Sequence, residues 1–252
     1  MSSVAVPRHR AIDLTRVRLF SIPIAVVIGL GIASALYHTI SGSPADDQII
    51  NYDFLSTKLL QHLVLSGVSF GVVVALMVPF GVLISGAGRA VRLPVFLLAN
   101  VGQAVPGIGI LALLSVFLNL GQEPTIIALV AYGALPVLRN TVAGIQGIDP
   151  AAVEAARGMG MTRWQSMYRV QLPLASPLIF AGLRTSLVLI IGTATLGNFI
   201  GGGGLGDVIA SGINISNRII LVGAVMVSAL ALLADWALSL VERITVPRVV
   251  AT

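Results

Sequence analysis

The sequence predicts an all-α integral membrane protein with about six transmembrane helices. Three observations lead there. Only 10% of the 252 residues are charged and 56% are hydrophobic, whereas soluble domains carry roughly 25% charged residues. The apolar residues gather in six segments, 19–40, 59–84, 93–118, 124–142, 177–199 and 219–240, each long enough for a helix that crosses hydrocarbon with about 20 residues. The cations lie singly between these segments. The net charge of +5 and pI of about 10.4 therefore read as positive charges flanking spans, not as a nucleic-acid surface. Strands do not compete: the runs are too long, and an open sheet edge cannot face lipid.

Taken in order, residues 1–18 form a basic tail with Arg8, Arg10, Arg16 and Arg18. The transmembrane domain covers 19–242, and 243–252 close the chain with Arg243 and Arg248. The basic start, the apolar run and Ala33-Ser34-Ala35 also fit a signal peptide. The run continues through Ile40, past the length of such a region, which favours an uncleaved first span added to a core of five. Segment 41–57, with Ser41, Gly42, Pro44, Asp46 and Asp47, reads as an external loop. Gly67 and Gly71 have small-xxx-small spacing, which suits close helix packing. Arg89, Arg92, Arg139, Arg157, Arg163 and Arg169 fall on the same side as both termini if the chain crosses six times. The other side holds Asp46, Asp47, Asp53, Glu123 and Asp207, with Lys58 and Arg218 as its cations. Positive-inside bias then puts both termini and the polar segment 146–176 in the cytoplasm.

Enzymatic chemistry finds no candidates. The chain has no cysteine, and His9, His38 and His62 lie far apart without metal-ligand spacing. No serine has a recognisable base. No G-x-x-x-x-G-K-[ST] occurs, so ATP is not expected to bind here, and Gly201–Gly204 reads as a tight external turn instead of a phosphate cradle. No catalytic residue, metal or cofactor is assigned.

Polar groups within spans are functional candidates by default. Gln103 and Pro106 lie in span three, where the proline predicts a kink. Thr193, Thr195 and Asn198 lie in span five. These five residues are candidate pathway groups, with cross-helix bonding as the plainer alternative. Arg184 follows Pro177 by seven residues and Asp235 precedes Glu242 by seven, which puts both at similar depth near the inner surface. An ion pair and separate snorkelling are both open for them.

The segment between spans four and five is the most informative. Asp149-Pro150 predicts a helix start, Gly158 and Gly160 its end, and Thr162 with Gln165 a capping box opening a second helix. On that helix Trp164, Met167, Tyr168 and Gln171 form a stripe, and Pro173 and Pro177 are expected to close it before the next span. The segment reads Glu154-Ala155-Ala156, three residues, Gly160, nine residues, then Val170-Gln171-Leu172-Pro173. That pattern resembles the cytoplasmic coupling loop of the membrane subunits of binding-protein-dependent ABC importers. The resemblance implies that Glu154, Ala155, Ala156, Gly160, Thr162, Trp164, Leu172 and Pro173 dock into an ATP-binding subunit. It also implies the type I importer permease fold, of the methionine-importer kind.

The likeness sharpens over 100–210. The runs PVLRNTVAGIQGIDPAAVEAARGMGMTRWQ, LPLASPLIFAGLRTS and GTATLGNFIGGGGLGD are similar to permeases of glycine betaine/carnitine/choline osmoprotectant importers. Methionine-importer permeases are the alternative within the class, and a secondary transporter or channel the alternative outside it. The osmoprotectant resemblance implies two ATP-binding subunits that carry ATP and Mg, a second permease chain, the same or related, and an extracytoplasmic substrate-binding protein. It places the whole in a bacterial inner membrane, in contact with lipid and with no nucleic acid.

Overall fold

Hydrophobic length sets the helices, and capping residues set their ends. The computed structural model describes residues 14–40, 46 and 50–246. Arg8, Arg10, His9, most of the loop 41–49 and Arg248 lie outside the described residues. Ten α-helices follow one another among the described residues: α1 (Leu14–Thr39), α2 (Tyr52–Ser85), α3 (Arg89–Ala104), α4 (Gly107–Leu118), α5 (Gln122–Gln146), α6 (Pro150–Gly158), α7 (Arg163–Ser166), α8 (Leu172–Ala194), α9 (Leu205–Ile213) and α10 (Asn217–Thr245). Five helical stretches are long and apolar enough to cross a membrane, and α3 with α4 makes a sixth if the bent pair counts as one span. The expected count of six is met with the bent pair taken as one span.

Several boundaries differ from expectation, each for a local reason. Residues 52–57, expected in the external loop, are the first turns of α2, because the Asn51 side chain accepts from the Phe54 amide at 2.8 Å and caps the helix there. Span three is not one kinked helix. It breaks at Val105–Pro106, and α3 and α4 meet at 97°. Pro173 and Pro177 do not close the helix begun at Arg163: helical structure continues through both to Ile200. A π-helical turn at Met167–Gln171 precedes Pro173, which then sits in the first turn of α8, where its missing N–H costs least. The short helix α9 was not expected at all.

The core is where α2, α5 and α8 meet. Val73, Leu129, Val137, Ile179, Leu183 and Ile190 are buried together there. Small residues allow the close crossings. A Cβ on Gly133 would lie 2.6 Å from Ile190 Cδ1, and one on Gly182 would lie 2.8 Å from the Pro136 carbonyl oxygen. Gly67 and Gly71, by contrast, are exposed and have open space in place of a neighbour. The expected tight packing therefore falls on Gly133 and Gly182 and not on that pair, whose face of α2 points away from the other described helices. Helix α1 packs against α10, outside this core.

These crossings make an unequal prediction. Gly182→Val overlaps backbone that cannot yield and lowers stability by on the order of 3 kcal/mol. Gly67→Ala leaves it near wild type. Thermal unfolding of both variants in detergent checks this, and equal midpoints would refute the packing scheme.

Candidate functional site: a polar loop, a broken span and an ion pair

The polar loop is built from capping interactions. Asp149 accepts from the Ala151 amide at 2.9 Å and Pro150 opens α6. At the other end Gly160 takes φ +78°. The Gly160 amide donates to Arg157 O at 2.9 Å and the Met161 amide to Ala156 O at 3.2 Å, the two bonds of a Schellman motif. Nothing crowds the space beside Gly160, so the backbone angle alone calls for glycine. Thr162 and Gln165 then form the reciprocal capping box, at 3.2 and 2.9 Å. Glu154, Ala155, Gly160, Thr162 and Trp164 are exposed, Ala156 is buried, and Leu172 and Pro173 are half-buried.

The expected stripe divides. Trp164 and Tyr168 stack with ring centroids 5.9 Å apart and 20° between planes, yet they are 59% and 62% exposed. Met167 turns inward against the core, and Gln171 donates to Ser166 Oγ at 3.2 Å. The two stacked rings form an exposed apolar patch on the loop.

Within the span region, Gln103 donates to Tyr132 O at 3.0 Å, and the Tyr132 hydroxyl donates to Val105 O at 2.5 Å. In an unbroken helix Val105 O would accept from the Gly109 amide. Here that amide bonds Pro106 O at 2.8 Å, and Tyr132 takes its place. Tyr132 was not singled out from sequence; a lone tyrosine in an apolar run carries no spacing signal. Gly107 lies against Tyr132, Thr193 and Leu196, so the break adjoins the end of α8. Gln103, Pro106 and Thr193 thus share one neighbourhood. Thr195 bonds back to Gly192 O at 2.7 Å, and Asn198 lines a separate cavity at the far end of α8.

Three further polar contacts join helices. Arg184 on α8 donates twice to Asp235 on α10, Nε to Oδ1 and Nη2 to Oδ2, both at 2.7 Å. Its Nη1 lies 3.8 Å from Glu242 Oε2. The two-point geometry fixes the guanidinium plane, so α8 and α10 are tied at one depth. His62, fully buried on α2, accepts from the Leu205 amide at Nδ1 (3.3 Å), so Nε2 carries the proton and donates to Ile191 O at 3.0 Å. His62 is therefore a helix staple. Lys58 pairs with Asp207 at 2.5 Å, joining α2 to α9. Among the described residues no group of three or more histidines or carboxylates could hold a metal.

The ion pair predicts a pattern across variants. Asp235→Asn lowers stability by on the order of 1–2 kcal/mol, the cost of leaving a half-shielded guanidinium without its partner. Arg184→Asp lowers it further, and adding Asp235→Arg recovers part of the loss, with Glu242 limiting the recovery. Unfolding midpoints in detergent measure the series. No recovery in the double variant would refute a direct pair.

Comparisons with known proteins agree with the all-helical membrane fold. Residues 67–245 match the family described as binding-protein-dependent transport system inner membrane component. The glycine betaine/carnitine/choline transport system permease protein OpuCB of Bacillus subtilis is 42% identical over 198 residues, covering 76% of this chain and 88% of that protein. The carnitine transport permease protein OpuCD of Listeria monocytogenes is 38% identical over 205 residues, covering 78% and 91%. Among solved structures, the inward-facing MetNI methionine ABC transporter matches with a TM-score of 0.68 at 22% identity, over 77% of this chain and 96% of that one. At that identity the match speaks for the fold, which is the type I importer permease fold. With a family match over most of its length and relatives this similar, the chain belongs to the binding-protein-dependent transport system inner membrane components.

Proposed function

We propose that this chain is the membrane-spanning subunit of an ATP-driven importer for a quaternary ammonium osmoprotectant: glycine betaine, choline or carnitine. The observation that carries the reading is the 42% identity to a glycine betaine/carnitine/choline permease along three-quarters of the chain. Identity that high over that length extends through the spans as well as the loop.

In this reading two copies of the chain, or this chain and a related one, enclose the pathway between them. Each presents one polar loop to one ATP-binding subunit, which holds ATP and Mg. The exposed Trp164–Tyr168 stack and the α6 helix with Glu154 fill the cleft of that subunit. Force then enters α8 directly, because helical structure is continuous from Arg163 to Ile200. Arg184 carries α10 with it through Asp235. The break at Val105–Pro106, beside Thr193, is where span three yields. Gln103, Thr193, Thr195 and Asn198 supply neutral polar groups along the route, and Pro106 marks the break beside it. Neutral groups suit a zwitterion or a cation that must pass without being held, and strong capture falls to an extracytoplasmic binding protein. Both termini and residues 146–176 lie in the cytoplasm, following the arginine distribution.

The deciding experiment is reconstitution in liposomes with the ATP-binding subunit and ATP inside and the binding protein outside. Uptake of labelled betaine, choline or carnitine is expected. A response to methionine with none to these three overturns the substrate class, and transport without ATP overturns the importer reading.

Two variants test the coupling and the orientation. Gly160→Val forces a β-branched residue to φ +78°. Membrane insertion is expected to persist while substrate-stimulated ATP hydrolysis falls at least tenfold; wild-type stimulation would remove Gly160 from the coupling role. Because the chain has no cysteine, single cysteines at the exposed positions Arg163 and Asn214 report sidedness cleanly. Labelling of the first from the cytoplasm and the second from outside is expected; the reverse would invert the topology.

A further inference from the structure

Helix α3 runs antiparallel along α5, and a charge lies on the seam between them. Val95, Phe96 and Ala99 pack on Leu138 and Val142, and further along Gln103 donates to Tyr132 O at 3.0 Å. Between these contacts Arg139 Nη2 donates to Asn100 Oδ1 at 3.0 Å. Arg139 is exposed, and so is Ala104, one turn beyond Asn100 on the same face of α3.

Depth decides what this exposure means. Seven residues, about 10 Å of helix, separate Arg139 from the end of α5 at Gln146. Helical side chains lean toward the N-terminus, which here points away from the polar loop. Asn100 lies on that side, between the levels of Leu138 and Tyr132. The guanidinium is therefore held toward the middle of the span, where an arginine without such a partner would snorkel out to the loop.

A guanidinium has five N–H donors. Asn100 takes one, and among the described residues Arg139 meets no other acceptor and no carboxylate. Arg184, at span depth on α8, is by contrast neutralised by Asp235. Lipid tails offer no acceptor, so the exposed side of Arg139 does not face hydrocarbon. A second copy brings it no spare anion at this depth, because Asp235 and Glu242 already face Arg184. Water satisfies the remaining donors. The seam continues as a polar row through Asn100, Gln103 and Tyr132 to Thr193, beside Gly107. Toward the loop, exposed Ala143 stands one turn from Arg139 and borders a cavity of about 390 Å³.

We propose that the α3–α5 seam is wet and that Arg139 makes it a charge filter, a fixed positive group that keeps small inorganic cations out of the translocation pathway. The inference rests on the proposed pathway between two permease chains and assigns part of its wall. The guanidinium stays protonated at any physiological pH. In a narrow wet slot with low-dielectric walls its field is focused and less screened than in bulk water. A solute without net charge crosses that field at little cost, and a sodium or potassium ion does not. Asn100 is the positioning residue that holds the charge at this depth.

The test reads the sign of the field in the full transporter, with its ATP-binding subunits, in nanodiscs. The chain has no cysteine, so Ala104→Cys gives it a single thiol, and its modification is followed by the mass of this chain. Two membrane-impermeant methanethiosulfonates are compared, the anionic ethylsulfonate and the cationic ethyltrimethylammonium, without nucleotide and with ATP. Their rate ratio cancels any effect on the thiol itself. Both reagents are expected to react. Arg139→Gln, which keeps an N–H for Asn100, is expected to lower the anionic-to-cationic ratio about tenfold, the order for a unit charge about one helical turn away. Arg139→Lys keeps most of the ratio. No reaction of either reagent in either condition means a dry seam and overturns the proposal. A ratio that Arg139→Gln leaves unchanged, or that Arg139→Lys loses as fully as Arg139→Gln, overturns it too. The outcome is separable from the functional reading. Failed uptake of betaine, choline and carnitine removes that reading and leaves the ratio standing, and a dry seam removes the filter whatever uptake shows.

Discussion

Inside hydrocarbon no water replaces a lost backbone hydrogen bond, and that constraint orders the rest of this structure. At two places where the chain leaves the helix, side chains from another helix supply partners to its backbone. At the break in span three, Tyr132 on α5 donates to Val105 O and Gln103 donates to Tyr132 O. Past the glycine turn, Gln61 and His62 on α2 accept from the Gly204 and Leu205 amides. Both of these irregular segments are thus pinned to a neighbouring helix.

The pins also set a continuous helical stretch apart from a broken one. From Arg163 to Ile200 the chain stays helical, with a π turn just before Pro173. Helix α8 therefore joins the exposed aromatic stack at one end to the glycine turn at the other. Along its length it meets α5 through glycine-lined crossings and α10 through Arg184. Span three instead turns by 97° and is held there by single hydrogen bonds to α5.

Much of the site was legible because its signals are local. A capping box lies within four residues, a Schellman glycine within six, and hydropathy within one span. Thr162–Gln165 and the positive φ of Gly160 are such cases. The Arg184–Asp235 contact spans two helices, and sequence could offer only equal depth and opposite charge, which snorkelling satisfies equally well. Tyr132, Lys58–Asp207 and His62 gave no signal, since their partners lie 27, 149 and 129 residues away. Gly67 and Gly71 misled for the same reason: their spacing shows that a helix could pack closely, not that one of this chain's helices does.

By itself the sequence determined an all-α membrane fold of six spans, the segment that carries the polar loop, and the loop's capping. Hydrophobic length, arginine placement and cap chemistry act over one span or less, so one dimension suffices to read them. Only the tertiary structure decided that span three breaks, that Pro173 leaves its helix unbroken, that α9 exists, and which glycines meet a neighbour. A proline removes one donor in every case. Whether the helix then breaks or bends depends on which donors, acceptors and side chains the facing helices bring to that depth, and those come from residues far along the chain.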